Sequence, residues 1–301
     1  MKALFYRILT VLARTIGDWA FLMIAWFVAT GYFLFFPHRV SVSRRFYEAL
    51  FPERGWFHAL GCAWRQYHSF VHVFLDRLRL ARGEDLDMTC EGWEHIASAA
   101  ESGKGAVLVM SHLGSWEIAA TLLMKSGREI PGLKLLLFLG EKHREEIEAL
   151  QKKQVVSQGV RVVVVPEEGG SSLHIIEGLH CLREGGIVSL TGDRLWGQDQ
   201  QRTVEVCFAG GRAQLPEMPY VLAMLSGAPL LVFFGYRRGK EGYHLVAKPA
   251  LAIASVQRLE RGRAIQETAQ VYAGWLEETA RCHPGEWFNF THFLKDLKNK
   301  D

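Results

Sequence analysis

Short, almost purely apolar runs alternate with amphipathic stretches over most of the chain beyond Gly83, and this alternation limits the possible folds more than any other feature. Runs such as RVVVV at 161–165 are apolar on both faces of an extended strand. That pattern is typical of strands buried on both sides in a parallel sheet, whereas the stretches between the runs repeat apolar residues at helical spacing. The chain is therefore predicted to fold as an α/β protein, with a mainly parallel central sheet flanked by helices.

The predicted strands cover residues 106–110, 133–139, 160–165, 187–190, 204–208, 230–234 and 244–247. The predicted helices between and after them cover residues 93–102, 115–127, 143–158, 172–184, 217–226 and 257–281. An aromatic and basic stretch at 46–82 is predicted to be helical as well. We divide the chain into a membrane anchor with a juxtamembrane segment at 1–45 and an α/β domain at 46–301, which begins with a helical region at 46–90.

The sequence WAFLMIAWFVATGYFLFF at 19–36 contains no charged side chain. As a helix it spans about 27 Å, close to the thickness of the hydrocarbon core of a bilayer. Trp19 and Tyr32, near its two ends, suit the interfacial belts where aromatic side chains collect. A buried core helix is the alternative, but the length and the flanks favour an N-terminal hydrophobic membrane-anchor helix. Lys and Arg are nearly balanced on its two sides, so a spanning helix and a monotopic anchor both stay open.

Charge and cysteine content exclude several other classes of protein. The 301 residues carry 35 Lys and Arg against 32 Asp and Glu, a net charge of +3 that is too mild for a nucleic-acid binder. The five cysteines are scattered and odd in number, so no disulfide framework or zinc ribbon is predicted. His68, His72 and Asp76 recur at helical spacing, but their place in an aromatic helix favours a packed face over a metal site. We predict neither a metal nor a cofactor.

His112 is the leading candidate for chemistry, because it directly follows the predicted strand 106–110. Open α/β sheets bind ligands at the carboxyl ends of their strands. Glu117 falls in the first turn of the next predicted helix, where the helix dipole favours the ionised carboxylate. Such a carboxylate close to an imidazole fixes its tautomer and stabilises the imidazolium. His112 and Glu117 are thus a candidate general base and its orienting partner; the alternative is a loop histidine and a helix-terminal carboxylate with no catalytic role.

The segment SHLGSWEIAA at 111–120 resembles the His-x4-Asp/Glu motif of the lysophospholipid acyltransferase superfamily, in the branch that contains the late acyltransferases of lipid A biosynthesis. LREGGIVSLTGDRLWG at 182–197 and HPGEWFNFTHFLK at 283–295 are similar to further segments of that branch, in the same order. Asp193-Arg194 stands where the lipid A enzymes carry Asp-Gln, and Thr291-His292 stands where they carry His-Arg. These two departures look more like relatives predicted to acylate other lipids.

The resemblance implies a membrane-anchored acyltransferase of the bacterial inner membrane whose catalytic domain faces the cytoplasm. It would move a fatty acyl chain from an acyl-carrier-protein or acyl-CoA thioester to a lipid or glycolipid acceptor, with His112 as general base and Glu117 orienting it. Candidates for binding the oxyanion or a substrate phosphate are Arg194 and the backbone of Gly169, Gly170 and Ser171. Asp193 would position Arg194 or the acceptor. Two alternatives stay open: a non-catalytic membrane-associated lipid-binding or scaffold protein, and a hydrolase that activates water with the same base.

Overall fold

The computed structural model describes residues 15–115, 117–119, 121, 134–140, 161–165, 172–195, 201–239, 242–253, 257 and 259–295. Within them a central sheet of seven strands has the order β1-β9-β8-β2-β5-β3-β4, and β6 and β7 form a separate antiparallel hairpin. The strands are β1 (Asp87–Glu91), β2 (Ala106–Met110), β3 (Leu135–Gly140), β4 (Arg161–Val165), β5 (Ile187–Thr191), β6 (Thr203–Phe208), β7 (Gly211–Pro216), β8 (Leu230–Arg238) and β9 (Gly242–Ala247).

The sheet is mainly parallel, as the apolar runs predict. β8, β2, β5, β3 and β4 run in one direction, whereas β9 pairs with β8 antiparallel and β1 follows β9. Alternate side chains of β2 enter two different cores: Val107 and Val109 pack on one face of the sheet, and Leu108 and Met110 on the other. Burial on both faces is the physical reason for the continuous apolar runs.

The helices are α1 (Asp18–Phe35), α2 (Pro37–Leu50), α3 (Gly55–Ala81), α4 (Trp93–Glu101), α5 (Ser172–Arg183), α6 (Met218–Ser226) and α7 (Arg261–Cys282). Three predicted helices, at 93–102, 172–184 and 217–226, agree with α4, α5 and α6 to within a residue at each end. α7 begins later than predicted. Residues 117–119 and 121 of the predicted helix 115–127 are helical, and the predicted helix 143–158 lies outside the described residues.

Three differences from the predicted elements have clear causes. The helical stretch at 46–82 is divided after Leu50, because Pro52 lacks the N–H that a continuing helix requires. β1 was not predicted, since all five of its residues are exposed at the edge of the sheet and carry no apolar pattern. β7 was not predicted either, because its sequence GRAQLP lacks a run of residues that favour strands. It forms a strand by pairing with β6.

The predicted anchor corresponds to α1, a helix long and apolar enough by length and composition to cross a membrane. It does not stand apart from the domain, because one of its faces packs on α3 and buries Phe21 and Ala29. Aromatic contacts continue along this packing, with the rings of Phe33 and Trp64 centred 5.1 Å apart.

Candidate active site

The register between β2 and β5 brings two distant segments of the chain together. These neighbouring parallel strands pair Met110 with Thr191, the last residue of each. The residues two positions further along, His112 and Asp193, therefore leave the same edge of the sheet side by side. Gly192 lies between Thr191 and Asp193, and a Cβ there would come within 2.4 Å of Val109 and 2.9 Å of the ring of Tyr272. Only glycine leaves room for this close passage.

Asp193 holds His112 through two hydrogen bonds. One carboxylate oxygen lies 2.8 Å from Nδ1 of the imidazole, and the other accepts the backbone N–H of His112 at 2.8 Å. The Asp193 side chain is fully buried, whereas that of His112 is 17% exposed. Burial by itself would raise the pKa of Asp193, but the neighbouring His112 and the hydrogen bonds hold that pKa below its ordinary value. The carboxylate is therefore ionised at neutral pH, and it favours the tautomer that carries its proton on Nδ1.

Trp287 completes the support of this carboxylate from the C-terminal tail. Its indole Nε1–H donates to Asp193 at 2.8 Å, and the side chain is buried against the rings of Phe46 and Phe293. The tail also holds the His112 loop through its backbone, since the Phe288 N–H donates to the His112 carbonyl at 2.8 Å. The segment HPGEWFNFTHFLK, which resembles the family in sequence, thus lies against the candidate base, although no pattern predicted this particular contact.

The loop that follows His112 passes very close to strand β8. Gly114 has a φ of 76°, and a Cβ there would lie 1.7 Å from the Gly235 carbonyl oxygen. Glycine is therefore required at this position on both conformational and steric grounds. The Ser115 N–H donates to the same carbonyl at 3.0 Å, and the Gly114 N–H donates to the Glu286 carbonyl at 2.6 Å. The base is thereby fixed between the sheet and the tail.

The structure places Glu117 in an ion pair with Arg77 of α3, and both side chains are largely buried. Nδ1 of His112 is hydrogen-bonded to Asp193, 81 residues away in the chain. A catalytic role for Glu117 stays a prediction, and Arg77 enters the site as a partner that the sequence did not indicate. An arginine keeps its charge at all ordinary pH values, so Glu117 is held beside a permanent cation.

The other predicted binding residues are Asp193, Arg194, Gly169, Gly170 and Ser171. Asp193 was expected to position Arg194 or the acceptor, and its described bonds go to His112 and Trp287. Arg194 lies next to it, half-buried, with a long 3.4 Å contact from its guanidinium to the Phe288 carbonyl. Gly169, Gly170 and Ser171 lie outside the described residues. Within the part of the chain that the structure describes, no three His, Cys, Asp or Glu side chains form a group that could hold a metal ion.

A histidine whose Nδ1 is held by a buried, ionised carboxylate at the carboxyl edge of a parallel sheet is the arrangement that enzymes use to remove a proton from a hydroxyl group. The comparison with known families agrees with this geometry. A model of the family described as bacterial lipid A biosynthesis acyltransferase matches residues 61–296. The chain therefore belongs to that family, which confirms the resemblance that its motifs predict.

Curated relatives come from mycobacteria. The chain is 27% identical over 229 residues to a phosphatidylinositol mannoside acyltransferase of Mycobacterium tuberculosis, which covers 75% of this chain and 65% of that protein. It is 27% identical over 226 residues to the protein of the same name from Mycolicibacterium smegmatis, over 74% of this chain and 66% of that protein. The chain thus spans about 65% of the length of the curated relatives that it matches.

Proposed function

We propose that this protein moves a fatty acyl chain from an acyl-carrier-protein or acyl-CoA thioester to a hydroxyl group of a lipid or glycolipid acceptor at a membrane surface. The observation that carries the proposal is the bond between Nδ1 of His112 and the buried carboxylate of Asp193. With the proton held on Nδ1, the lone pair of the imidazole lies on Nε2, the nitrogen that takes the proton of the acceptor. Family membership supports the reaction class, and the name of the mycobacterial relatives supports a glycolipid as one acceptor class.

The proposed acyl transfer needs no cofactor, since every bond broken and every proton moved is accounted for by the two substrates and His112. The acceptor hydroxyl transfers its proton to Nε2 of His112 as its oxygen attacks the thioester carbonyl, which gives a tetrahedral oxyanion. The C–S bond then breaks, the ester remains on the lipid, and the imidazolium returns its proton to the leaving thiolate. Asp193 stabilises the imidazolium between these two transfers, since its negative charge lies against Nδ1.

Three further assignments belong to the same proposal. Arg194, which follows Asp193 at the carboxyl edge of the sheet, stabilises the oxyanion or binds a phosphate of a substrate. Glu117, which forms an ion pair with Arg77, adds a second carboxylate five residues from the base in the chain. Gly169, Gly170 and Ser171 bind an anionic group of a substrate. The protein acts at the bacterial inner membrane with its catalytic domain in the cytoplasm, where acyl thioesters are available, and the apolar helix α1 supports this location.

The test is acyl transfer by purified protein in detergent micelles, with palmitoyl-CoA or palmitoyl-carrier protein as donor and a lipid extract as acceptor. Thiol release and the mass of the acylated lipid are measured together. A general base contributes on the order of 10²–10⁴ in rate, so His112→Ala should reduce transfer by that factor with little change in melting temperature. His180→Ala removes an exposed histidine of α5 and is the matched control, which should keep wild-type activity.

Each other outcome of this assay points to a different function or refutes the mechanism. Thiol release without an acylated lipid, lost in His112→Ala, would mean a hydrolase with the same base. Transfer retained in a folded His112→Ala protein would refute the mechanism, and no turnover of any donor by the wild type would favour a scaffold. Glu117→Gln in the same assay measures the second carboxylate, for which we also expect a severe loss because the variant removes its charge.

A further inference from the structure

The helix α1 is docked along its length on α3, and the two helices run antiparallel. At one end the carboxylate of Asp18 accepts hydrogen bonds from Arg79 of α3 and from Arg82, the residue just after α3, both at 2.7 Å. Further along, the hydroxyl of Thr30 lies 3.0 Å from Nε2 of His68. Together with the ring contacts closer to Phe35, these bonds fix the position of α1 on the domain from one end to the other.

The opposite side of α3 is fastened to the catalytic domain. Asp76 is fully buried and accepts a hydrogen bond at 2.9 Å from Arg237 of β8, and the next residue, Arg77, pairs with Glu117. Nearly three helical turns before Asp76, the Gln66 amide donates to the carbonyl of Trp287. The helix α3 therefore contacts both α1 and the candidate active site.

The face of α1 that points away from α3 is an exposed apolar stripe. Met23, Phe27 and Leu34 are 48%, 63% and 64% exposed, and their spacings of four and seven residues place them on one side of the helix. Arg39 is exposed in the first turn of α2, four residues beyond the end of α1, and supplies positive charge near this end of the stripe. An apolar stripe next to a basic side chain matches the chemistry of an anionic lipid surface.

We propose that α1 lies in the plane of the membrane surface, with the stripe of Met23, Phe27 and Leu34 inserted among the lipids, and does not cross the bilayer. The reason is the docking on α3. If α1 spanned the bilayer in this arrangement, the segment of α3 beside it would enter the hydrocarbon with Asp76 and Arg77, and the sheet behind them would follow. Charged groups are excluded from that environment, and strands and loops with unpaired backbone groups are excluded as well.

An in-plane α1 also gives the candidate active site a fixed position relative to the lipid. Because α3 touches α1 on one side and Glu117 and Asp76 connect it to the domain on the other, the site is held about one helix layer from the surface. This inference takes from the proposed function only that the acceptor is a membrane lipid. Its test is independent, since acyl transfer in micelles needs no bilayer.

The experiment measures the depth of three spin labels in vesicles of phosphatidylethanolamine and phosphatidylglycerol. Met23→Cys, Phe27→Cys and Leu34→Cys are made one at a time in the full chain, with the exposed Cys90, Cys207 and Cys282 replaced by serine. Depth is read from collisions with oxygen and with a water-soluble nickel complex. An in-plane helix should give three lipid-embedded labels at nearly equal depth, whereas a spanning helix should separate positions 23 and 34 by about 16 Å.

Ile176→Cys on α5 provides the matched control, because Ile176 is an apolar side chain that is 60% exposed on a helix of the domain, and its label should stay in water. A graded depth from Met23 to Leu34 would overturn the proposal in favour of a span. Three labels in water would overturn it as well, because the stripe would then not be a membrane surface. Acyl transfer by each labelled variant in micelles shows whether it is folded and keeps this result separate from the function.

Discussion

Asp193 and Asp76 are both fully buried carboxylates, and each accepts hydrogen bonds from two side chains. Asp193 is bonded to the imidazole of His112 and the indole of Trp287, whereas Asp76 is bonded to the guanidinium of Arg237 and, at 2.8 Å, to the phenol of Tyr243. The two sites are alike in burial and in the number of side chains that donate to the carboxylate. They differ in whether the cationic partner can release its proton.

That difference separates a working carboxylate from a structural one. An arginine stays protonated at all ordinary pH values, so the pair of Asp76 and Arg237 is permanent and fastens α3 to β8. An imidazole gains and loses a proton near neutral pH, so Asp193 is stabilised by a partner whose charge changes during proton transfer. Burial of a carboxylate does not by itself mark a catalytic residue; the chemistry of its partner does.

The largest expected effect comes from changing each aspartate to asparagine. Asp193→Asn replaces an acceptor of the Nδ1 proton by an amide that can favour the wrong tautomer, and acyl transfer should fall by about 10³–10⁴. Asp76→Asn leaves the guanidinium of Arg237 without its buried counter-charge and should cost about 3 kcal/mol of unfolding free energy. Its rate per folded molecule should stay within about threefold of the wild type.

Thermal melts and micelle assays on both variants decide whether the two carboxylates differ in this way. Loss of activity in a stable Asp76→Asn protein would assign that cluster to the reaction. Wild-type transfer by Asp193→Asn would remove the carboxylate from the mechanism and leave Glu117 as the candidate partner of His112.

Trp287→Phe tests how much the hydrogen bond from Trp287 to Asp193 contributes to the reaction. The substitution keeps an aromatic ring but removes the N–H that donates to Asp193, a charge-assisted bond whose loss should slow transfer about tenfold. The pKa of Asp193 should rise, and the more basic carboxylate should also favour the protonated imidazole. The acid limb of the pH–rate profile is therefore expected to move to higher pH. Trp275→Phe on α7 is the control, and an equal loss of rate there, or an unmoved acid limb in Trp287→Phe, would reduce Trp287 to a packing residue.

Glu286, on the structural side, gives an expected effect that is confined to neutral and alkaline pH. Burial raises its pKa to about 7, against the partial opposition of Arg237. Because the folded-state pKa lies above the ordinary value, its contribution to stability is complete below about pH 4.5 and is lost as the pH rises through 7. Glu286→Gln should therefore gain stability relative to the wild type at pH 8.5, by at most about 3 kcal/mol, and match it at about pH 4.

Denaturant melts at the two pH values measure this difference. The side chain of Glu286 points to the cluster of Arg237 and Asp76, while its backbone carbonyl holds Gly114, so the variant keeps the loop of the base. An equal change in stability at both pH values would contradict a titration of Glu286 near neutrality.

Local sequence patterns predicted most of the fold and part of the candidate active site. The run AVLVM at 106–110 is apolar on both faces, which predicted a buried strand with its exact ends, and the residues after it identified His112. The same reasoning failed at β1, where an exposed edge strand has no apolar requirement to leave a pattern. Patterns succeed where burial demands a certain side chain and fail where pairing alone makes the strand.

By itself, the sequence determined the alternation of strands and helices, the position of His112 at a strand end, the apolar helix and the family. The tertiary structure alone decided that Nδ1 of His112 meets Asp193, that Trp287 supports Asp193, and that Glu117 pairs with Arg77. It also decided that α1 is docked on α3. The physical reason is that hydrophobic periodicity is a local property of the chain, whereas the partner of a polar group depends on strand order and register, which bring residues 81 positions apart to the same edge of the sheet.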